Sequence, residues 1–347
     1  MSAVSRSADQ RQHHAIAYWL LICCALVFAM VVLGGVTRLT GSGLSMVTWE
    51  PIVGAVPPLT SAQWQDSFKR YQHTPEYEKK NLGMSLHEYK GIFWFEYAHR
   101  LLGRGIAAAI LLPLLFLVYQ RRIDRALVPK MVVIILLVGL QGALGWYMVA
   151  SGLVDNPHVS QYRLTAHLAA AFLIYAYMFW VALGLIYPER EAGPELQPLR
   201  RDTHRVAALI GFTVLSGGFV AGLKAGFTYN TFPLMDGHWI PPTYWSAQPA
   251  WRNFFENIAT VQFDHRLLAV STLLAVSLLW LVARRYAPPP RAKLGFNLLL
   301  VMVIVQVTLG ISTLLLLVPI PLASAHQAGA LLLFTCALFT LHALRLR

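Results

Sequence analysis

Residues 93–118 read FWFEYAHRLLGRGIAAAILLPLLFLV. Four of the first twelve can carry charge, Glu96, His99, Arg100 and Arg104, and the fourteen that follow carry none. As a helix rising 1.5 Å per residue, this stretch makes a rod of about 39 Å. That exceeds the ~30 Å hydrocarbon core of a bilayer. A helix apolar on every side needs lipid or protein around it, and the polar side chains at one end put that end near an interface. Working outward, seven more segments have the length and apolar character of a span: roughly 16–36, 130–150, 163–187, 206–225, 258–283, 294–317 and 321–344. The whole chain agrees. Of 347 residues, 56% are hydrophobic and 13% charged, against about 25% charged in soluble domains. The sequence predicts an all-α integral membrane protein with eight transmembrane helices.

The formal net charge of +12 falls in short loops, not in a stripe, so it indicates topology and not nucleic-acid binding. Arg121, Arg122, Arg125 and Lys130 follow the second span. Arg190, Arg200, Arg201 and Arg205 follow the fourth, and Arg284, Arg285, Arg291 and Lys293 the sixth. Arg345 and Arg347 end the chain. All share one side if both termini are cytoplasmic, in a bacterial plasma (inner) membrane. The first span follows a short polar stretch with Arg6 and Arg11 and no small-residue cleavage site, so it is expected to be an uncleaved helix. Two long loops, about 37–92 and 224–257, then lie outside. Trp49, Trp64, Trp239 and Trp245 give them apolar surface to bury, so ordered caps are expected. Cys23, Cys24 and Cys336 lie in apolar runs without metal-site spacing and are expected to be packing residues.

The chain repeats itself. Gly34-Gly35-Val36-Thr37 near the end of the first span matches Gly217-Gly218-Phe219-Val220 in the fifth. FEYAHRLL at 95–102 matches QFDHRLL at 262–268. Gln141 and Gly145 in the third span match Gln306 and Gly310 in the seventh, and Thr165-Ala166-His167 matches Ser324-Ala325-His326. Four helices separate the copies, so both have the same membrane orientation, a parallel repeat about an axis near the membrane normal. The expected domains are an N-terminal four-helix half at 1–188, a cytoplasmic linker at 189–205 and a C-terminal half at 206–347, forming two pseudo-symmetric four-helix bundles.

Of twelve histidines, His99, His167, His265 and His326 lie inside spans, one to two turns from the outer end, at matching positions of the repeat. Ionisable residues at membrane depth mark function. Two imidazoles facing each other in a bundle suit the axial positions of an iron porphyrin. A lone histidine would more simply bridge two helices, but four at equal depth point to haem. Zinc is disfavoured because no third ligand shares a face with either pair. Arg100 and Arg266 follow the histidines of the second and sixth spans, and either meet haem propionates or snorkel to the interface. Gly34, Gly35, Gly139, Gly142, Gly145, Gly217, Gly218 and Gly310 allow close approach by a helix or a flat ligand. His13, His14, His204 and His342 fall at cytoplasmic ends and His73, His87, His158 and His238 in outer loops, where no special role is expected.

The halves differ at Glu96, which faces Gln262 across the repeat. Each lies three residues before its histidine, on the same helical face. A carboxylate can move a proton or stabilise a developing cation, and an amide cannot ionise. The asymmetry places chemistry in the first half and a permanent electron-transferring haem in the second. The alternative is a structural ion pair between Glu96 and Arg100. Asp264, opposite Ala98, could orient a neighbouring group.

These residues resemble the haem A synthase family of bacteria and mitochondria. The resemblance runs through nearly all eight spans. It is most specific in GGVTRLTGSGLSM at 34–46, Trp49-Glu50-Pro51, FEYAHRLLGR at 95–104 and the DHR and SAHQ motifs of the second half. It implies an oxidoreductase that converts the C8 methyl of haem O to a formyl group, by two successive hydroxylations and loss of water, to give haem A for terminal oxidases. It further implies that His99 and His167 bracket the substrate haem, that His265 and His326 ligate a haem b cofactor, and that Glu96 is the essential carboxylate. The implied partners are a reduced, ferredoxin-like donor and haem O synthase. Gram-positive members carry a cysteine pair in the first outer loop, and residues 37–92 here contain none, so a thiol relay there is not available. A bis-histidine iron has no open axial position for oxygen. Either one histidine of the first pair dissociates or oxidation proceeds without oxygen on that iron. The competing readings are a di-haem b cytochrome acting only in electron transfer, a parallel-repeat transporter and a structural assembly factor.

Overall fold

The computed structural model describes residues 3–48, 53–152 and 159–346. Trp49-Glu50-Pro51, His158 and Arg347, singled out above, lie outside the described residues. Eight helices are long and apolar enough to cross a membrane: Gln10–Leu39, Leu86–Tyr119, Val128–Ser151, Gln161–Ile186, Pro194–Gly222, Ile258–Ala283, Pro290–Leu315 and Ile320–Ala343. They belong to α1 (Ala3–Leu39), α4 (Leu86–Tyr119), α5 (Val128–Gly152), α6 (Gln161–Ile186), α7 (Gln197–Gly222), α9 (Ile258–Ala283), α10 (Pro290–Leu315) and α11 (Ile320–Ala343). Short helices α2 (Ser61–Gln72), α3 (Pro75–Lys80) and α8 (Asn253–Glu256) sit in the two long loops. Among the described residues the only extended pairing is two isolated bridges, Ala192 with Leu346 and Met235 with His238.

All eight expected spans are present, and α4 starts seven residues earlier than its apolar stretch. The cause is a capping box. Ser85 Oγ accepts from the Glu88 backbone N–H at 3.3 Å, and Glu88 Oε2 accepts from the Ser85 N–H at 2.8 Å. Such a box satisfies two otherwise unpaired donors and is worth on the order of 1 kcal/mol. The added turns bring Tyr89 beneath the first long loop, where Trp64, Tyr71, Tyr89, Phe93 and Tyr97 form a buried aromatic cluster. Tyr71 stacks on Tyr89 with ring centres 5.1 Å apart. Burial, with Glu76 beside it, pushes the Tyr71 hydroxyl above its ordinary pKa, so it stays protonated and donates to Glu76 Oε2. The expected ordered cap is therefore an aromatic plug fixed to the end of α4.

The second long loop is tied down by two asparagines. Asn257 caps α9, its Oδ1 accepting from the N–H of Ala259 at 2.9 Å, while its amide nitrogen donates to the Thr243 carbonyl at 2.7 Å. Asn253, fully buried, exchanges hydrogen bonds of 2.9 Å with the backbone of Ala247.

By packing, the chain forms two compact units, one of Ala25–Ala171 and one of Met1–Cys24 with Phe172–Arg347. In the second unit α7 lies against α9 and α11, and α10 against α9 and α11, so these four helices close a bundle. In the first unit α4 packs on α5, Thr37 of α1 donates to the Phe95 carbonyl of α4 at 3.4 Å, and Gln141 of α5 reaches the His167 carbonyl of α6 at 3.1 Å. Cys23, Cys24 and Cys336 are not joined in disulfides, and Cys24 sits against the Tyr175 carbonyl.

Candidate functional site

Each of the four histidines lies on a glycine of a neighbouring helix. A Cβ built on Gly34 of α1 would stand 3.1 Å from His99 Nε2, and one on Gly145 of α5 would stand 3.1 Å from His167 Cε1. In the other unit the distances are 3.1 Å from Gly217 of α7 to His265 Cε1 and 2.8 Å from Gly310 of α10 to His326 Cε1. The missing side chains leave four cradles the thickness of an imidazole. Of the eight glycines singled out in the sequence, these four hold rings, while Gly139 and Gly142 have nothing within 4 Å.

A second matched pair supports the cradles. Gln141 Nε2 donates to the His167 carbonyl at 3.1 Å, and Gln306 Nε2 donates to the His326 carbonyl at 2.9 Å. Each bond reaches across to the helix that carries the histidine and fixes its turn. The glutamines stand in the repeated motif, and their recurrence as amides in apolar helices was the available signal for a role that sequence reading left unassigned.

The pairs can be tested against an iron porphyrin. His265 and His326 have ring centres 6.5 Å apart with planes at 88°. Imidazoles bound to opposite faces of one iron, at metal–nitrogen bonds of about 2 Å, have ring centres roughly 6 Å apart. His99 and His167 lie within electrostatic reach of each other in their own unit. His167 Nδ1 and His326 Nδ1 are buried without a hydrogen-bond partner. Among the described residues no group of three or more histidine, cysteine or acidic side chains gathers to hold a bare metal ion. Two facing imidazoles suit a group that brings its own equatorial nitrogens, so the residues fit haem.

His265 differs from the others. Ser216 Oγ lies 2.7 Å from its Nδ1 and 2.8 Å from the Thr213 carbonyl. The hydroxyl proton therefore goes to the carbonyl and the oxygen accepts from Nδ1–H, which leaves Nε2 with a free lone pair for a metal. The residue before Gly34 in the first half is Leu33, which offers no such bond. Sequence reading missed Ser216 because the contact joins two helices 49 positions apart.

Glu96 is buried, 3% exposed, and both its oxygens are engaged. Oε1 pairs with Arg100 Nη2 at 2.5 Å. Oε2 accepts from Ser45 Oγ and from the Met46 N–H, each at 2.7 Å. The ion pair weighed as an alternative is thus present within α4, and the bonds to Ser45 and Met46 tie α4 to the first long loop. Arg100 also donates to the carbonyls of Thr48 at 2.8 Å and Met46 at 2.7 Å. Arg266 does the same in the other unit, donating to Thr231 at 2.8 Å and Tyr229 at 2.7 Å. Gln262 Nε2 shares the Tyr229 carbonyl at 2.9 Å. Both arginines thus clamp loop backbone beside their histidine, and Arg266 keeps a buried Nε without a partner. Asp264 accepts from the Tyr244 hydroxyl at 2.8 Å. Burial first, then that bond, push the Tyr244 pKa up to about 12.

Of the remaining histidines, His204 and His238 make local contacts with backbone carbonyls. His342 departs from expectation, being 1% exposed with neither ring nitrogen partnered.

Residues 17–338 match the family model COX15-CtaA, cytochrome oxidase assembly protein. The chain is 57% identical to "Heme A synthase" of Nitrosospira multiformis, covering 99% of this chain and 98% of that one. It is 53% identical to "Heme A synthase" of Nitrosomonas eutropha over 97% and 96%. It is 43% identical to "Heme A synthase COX15" of Bos taurus over 99% of this chain and 84% of the bovine one.

Proposed function

We propose a haem-methyl oxidation for this protein from one premise: the chain belongs to COX15-CtaA, a family of cytochrome oxidase assembly proteins. The protein is a haem A synthase, an oxidoreductase of haem biosynthesis and a multi-pass protein of the bacterial inner membrane. It oxidises the C8 methyl of haem O to a formyl group. The observation that carries the reading is the pair of imidazole couples, each ring seated on a glycine at matching places of an internal repeat.

His99 and His167 hold the substrate haem O, and His265 and His326 hold a haem b cofactor, each couple in its own four-helix half, 1–188 and 206–347. Haem b, when bound, supplies a one-electron relay. Ser216 keeps His265 in the tautomer that offers Nε2. That is the kind of support a permanent ligand needs, because outer partners of a ligating histidine fix both ring and basicity. His99 lacks it, in keeping with a site that takes in and gives up its occupant. Glu96 sits one helical turn from His99 and holds a carboxylate in place through Arg100, Ser45 and Met46. A charge so fixed suits electrostatic stabilisation of positive charge developing near the methyl, since it needs no reorganisation during the reaction. Arg100 and Arg266 close the loops over the two sites and place positive charge where propionates would lie. Both termini are cytoplasmic by the loop charges, and the haem sites face the periplasmic side. Electrons come from a reduced, ferredoxin-like donor, and haem O synthase delivers the substrate.

The test is to load the purified full-length protein with haem O and a reductant, then extract and mass-analyse the porphyrins. Hydroxymethyl and then formyl haem are expected. A di-haem b cytochrome acting only in electron transfer would return haem O unchanged, and that result would overturn the enzyme reading.

A further inference from the structure

His342 lies sixteen residues beyond His326 along α11, about 24 Å away, so it belongs to neither couple. The edge of its ring meets Trp180 at 5.1 Å, and both ring nitrogens are buried without a partner. A Cβ built on Gly184 of α6 would lie 3.9 Å from His342 Nε2 and 4.0 Å from Arg345 Nη1, so the two groups face the same gap. Arg345 donates from Nη2 to the Tyr187 carbonyl and from Nε to the His342 carbonyl at 3.3 Å. The Arg291 guanidinium lies over the Tyr187 ring, 4.1 Å from its centre. Its side chain is 10% exposed, and its Nε and Nη1 are buried without partners. Its remaining nitrogen is 3.4 Å from Glu191, which is 38% exposed. Burial, then Arg291 and Arg190, lower the Arg345 pKa, so two further guanidiniums bear on that of Arg345.

This cluster has a surplus of positive charge and of donors. Water would satisfy the donors and leave the charge. An anion with several acceptor oxygens satisfies both, and guanidinium binds phosphate in a two-pronged manner. The setting favours a lipid as its source. Tyr187 lies just past the end of α6, Arg291 in the first turn of α10 and Arg345 just past α11, so three span ends meet at the depth of lipid phosphates. Below Arg291 on one face of α10, at helical spacing, stand Leu294, Leu298, Val301 and Val305, all exposed at 41% or more, a track for an acyl chain. Basic pockets between spans on the cytoplasmic side bind such headgroups. We propose that Arg291, Arg345 and His342 form a binding site for a phosphate anion, supplied by the headgroup of an anionic phospholipid.

The test uses the full-length, haem-loaded protein, delipidated in detergent and examined by native mass spectrometry with phosphatidylglycerol, phosphatidylcholine or inorganic phosphate. Phosphatidylglycerol should be retained at least tenfold better than phosphatidylcholine. Arg291→Gln and Arg345→Gln should each lower that retention at least fivefold while the haem spectrum stays unchanged. Glu191→Gln, which removes the competing carboxylate, should raise it. The opposite signs separate charge recognition from damage to the fold, and Arg345→Gln with Glu191→Gln decides the matter if Arg291→Gln does not fold. Equal retention of the two lipids, or retention in both arginine variants equal to the unaltered protein, overturns the site. Capture of inorganic phosphate with phosphatidylglycerol ignored overturns the lipid as its source.

Discussion

Ser216 and Leu33 stand at the same place in the repeat, each before a pair of glycines, and only the serine can hydrogen-bond to a histidine ring, as it does to His265. One hydroxyl thereby distinguishes two otherwise parallel sites. Outer partners of ligating histidines are typically worth about 10–100-fold in affinity. Ser216→Ala should therefore weaken haem retention at the His265 and His326 couple by about that factor, with Ser216→Thr restoring most of it. Dialysis of the loaded protein with spectra taken over time measures this, and equal retention in the alanine variant would sink the positioning role. Glu96 poses the opposite problem, because its structural contacts and its proposed chemistry coexist. Glu96→Gln keeps the size but removes the charge and one of the two accepting oxygens, so its amide nitrogen faces either Arg100 or the Met46 N–H. Conversion of haem O should fall on the order of 100-fold or more while both haem bands remain. Arg100→Gln, which keeps the carboxylate but removes one of its three partners and the bonds to Thr48 and Met46, should loosen the first long loop, seen as faster proteolysis there. If Glu96→Gln converts haem O normally, the carboxylate is only an anchor for Ser45 and Met46.

At the scale of helices, the four glycine cradles make the sharpest expectation. Gly310→Ala would bring a methyl within 2.8 Å of His326 Cε1, closer than real contacts allow, so the ring must leave its place. Haem binding by the second couple should be lost, as judged by its low-spin absorbance. Gly139→Ala and Gly142→Ala meet nothing within 4 Å. They should leave the spectrum unchanged and hold or raise thermal stability, because alanine is favoured over glycine inside a helix by roughly 0.5–1 kcal/mol. A spectrum equally disturbed by Gly139→Ala would show that small residues act through general helix packing and not as ring seats. The spans, their number and the repeat were legible in sequence because lipid imposes one crude rule, about 20 apolar residues per crossing, and the chain obeys it eight times. The histidines were legible because a titratable ring in an apolar run stands out. Which glycines hold rings was not, since eight candidates look alike until helix rotation is known. The early start of α4 was written in Ser85-Leu86-His87-Glu88, yet it lay outside the apolar run that defined the span. The pairing of one Glu96 oxygen with Arg100 was legible at helical spacing, but the engagement of the other was not, because Ser45 and Met46 reach it from a loop some fifty residues away in sequence.

For the molecule as a whole, the decisive property is that each couple lies inside a single compact unit. His99 and His167 fall in Ala25–Ala171, and His265 and His326 in the unit containing Phe172–Arg347. Sites built from separate residues with no shared partners respond to substitution nearly additively. His265→Ala or His326→Ala should therefore remove one haem of two and leave a chain that still takes up haem O at the first couple without converting it. His99→Ala or His167→Ala should do the reverse, keeping the cofactor haem and its reducibility while substrate binding falls. The double variant His99→Ala with His265→Ala should bind neither. Haem-to-protein ratio by extraction and absorbance, measured on chains of verified thermal stability, reads all three cases. Loss of both haems from a single substitution would mean that the couples depend on each other to form, and the assignment of substrate to one and cofactor to the other would then lose its structural basis. The same series separates enzyme from electron carrier, because only an enzyme makes the first couple dispensable for reduction yet indispensable for formyl haem.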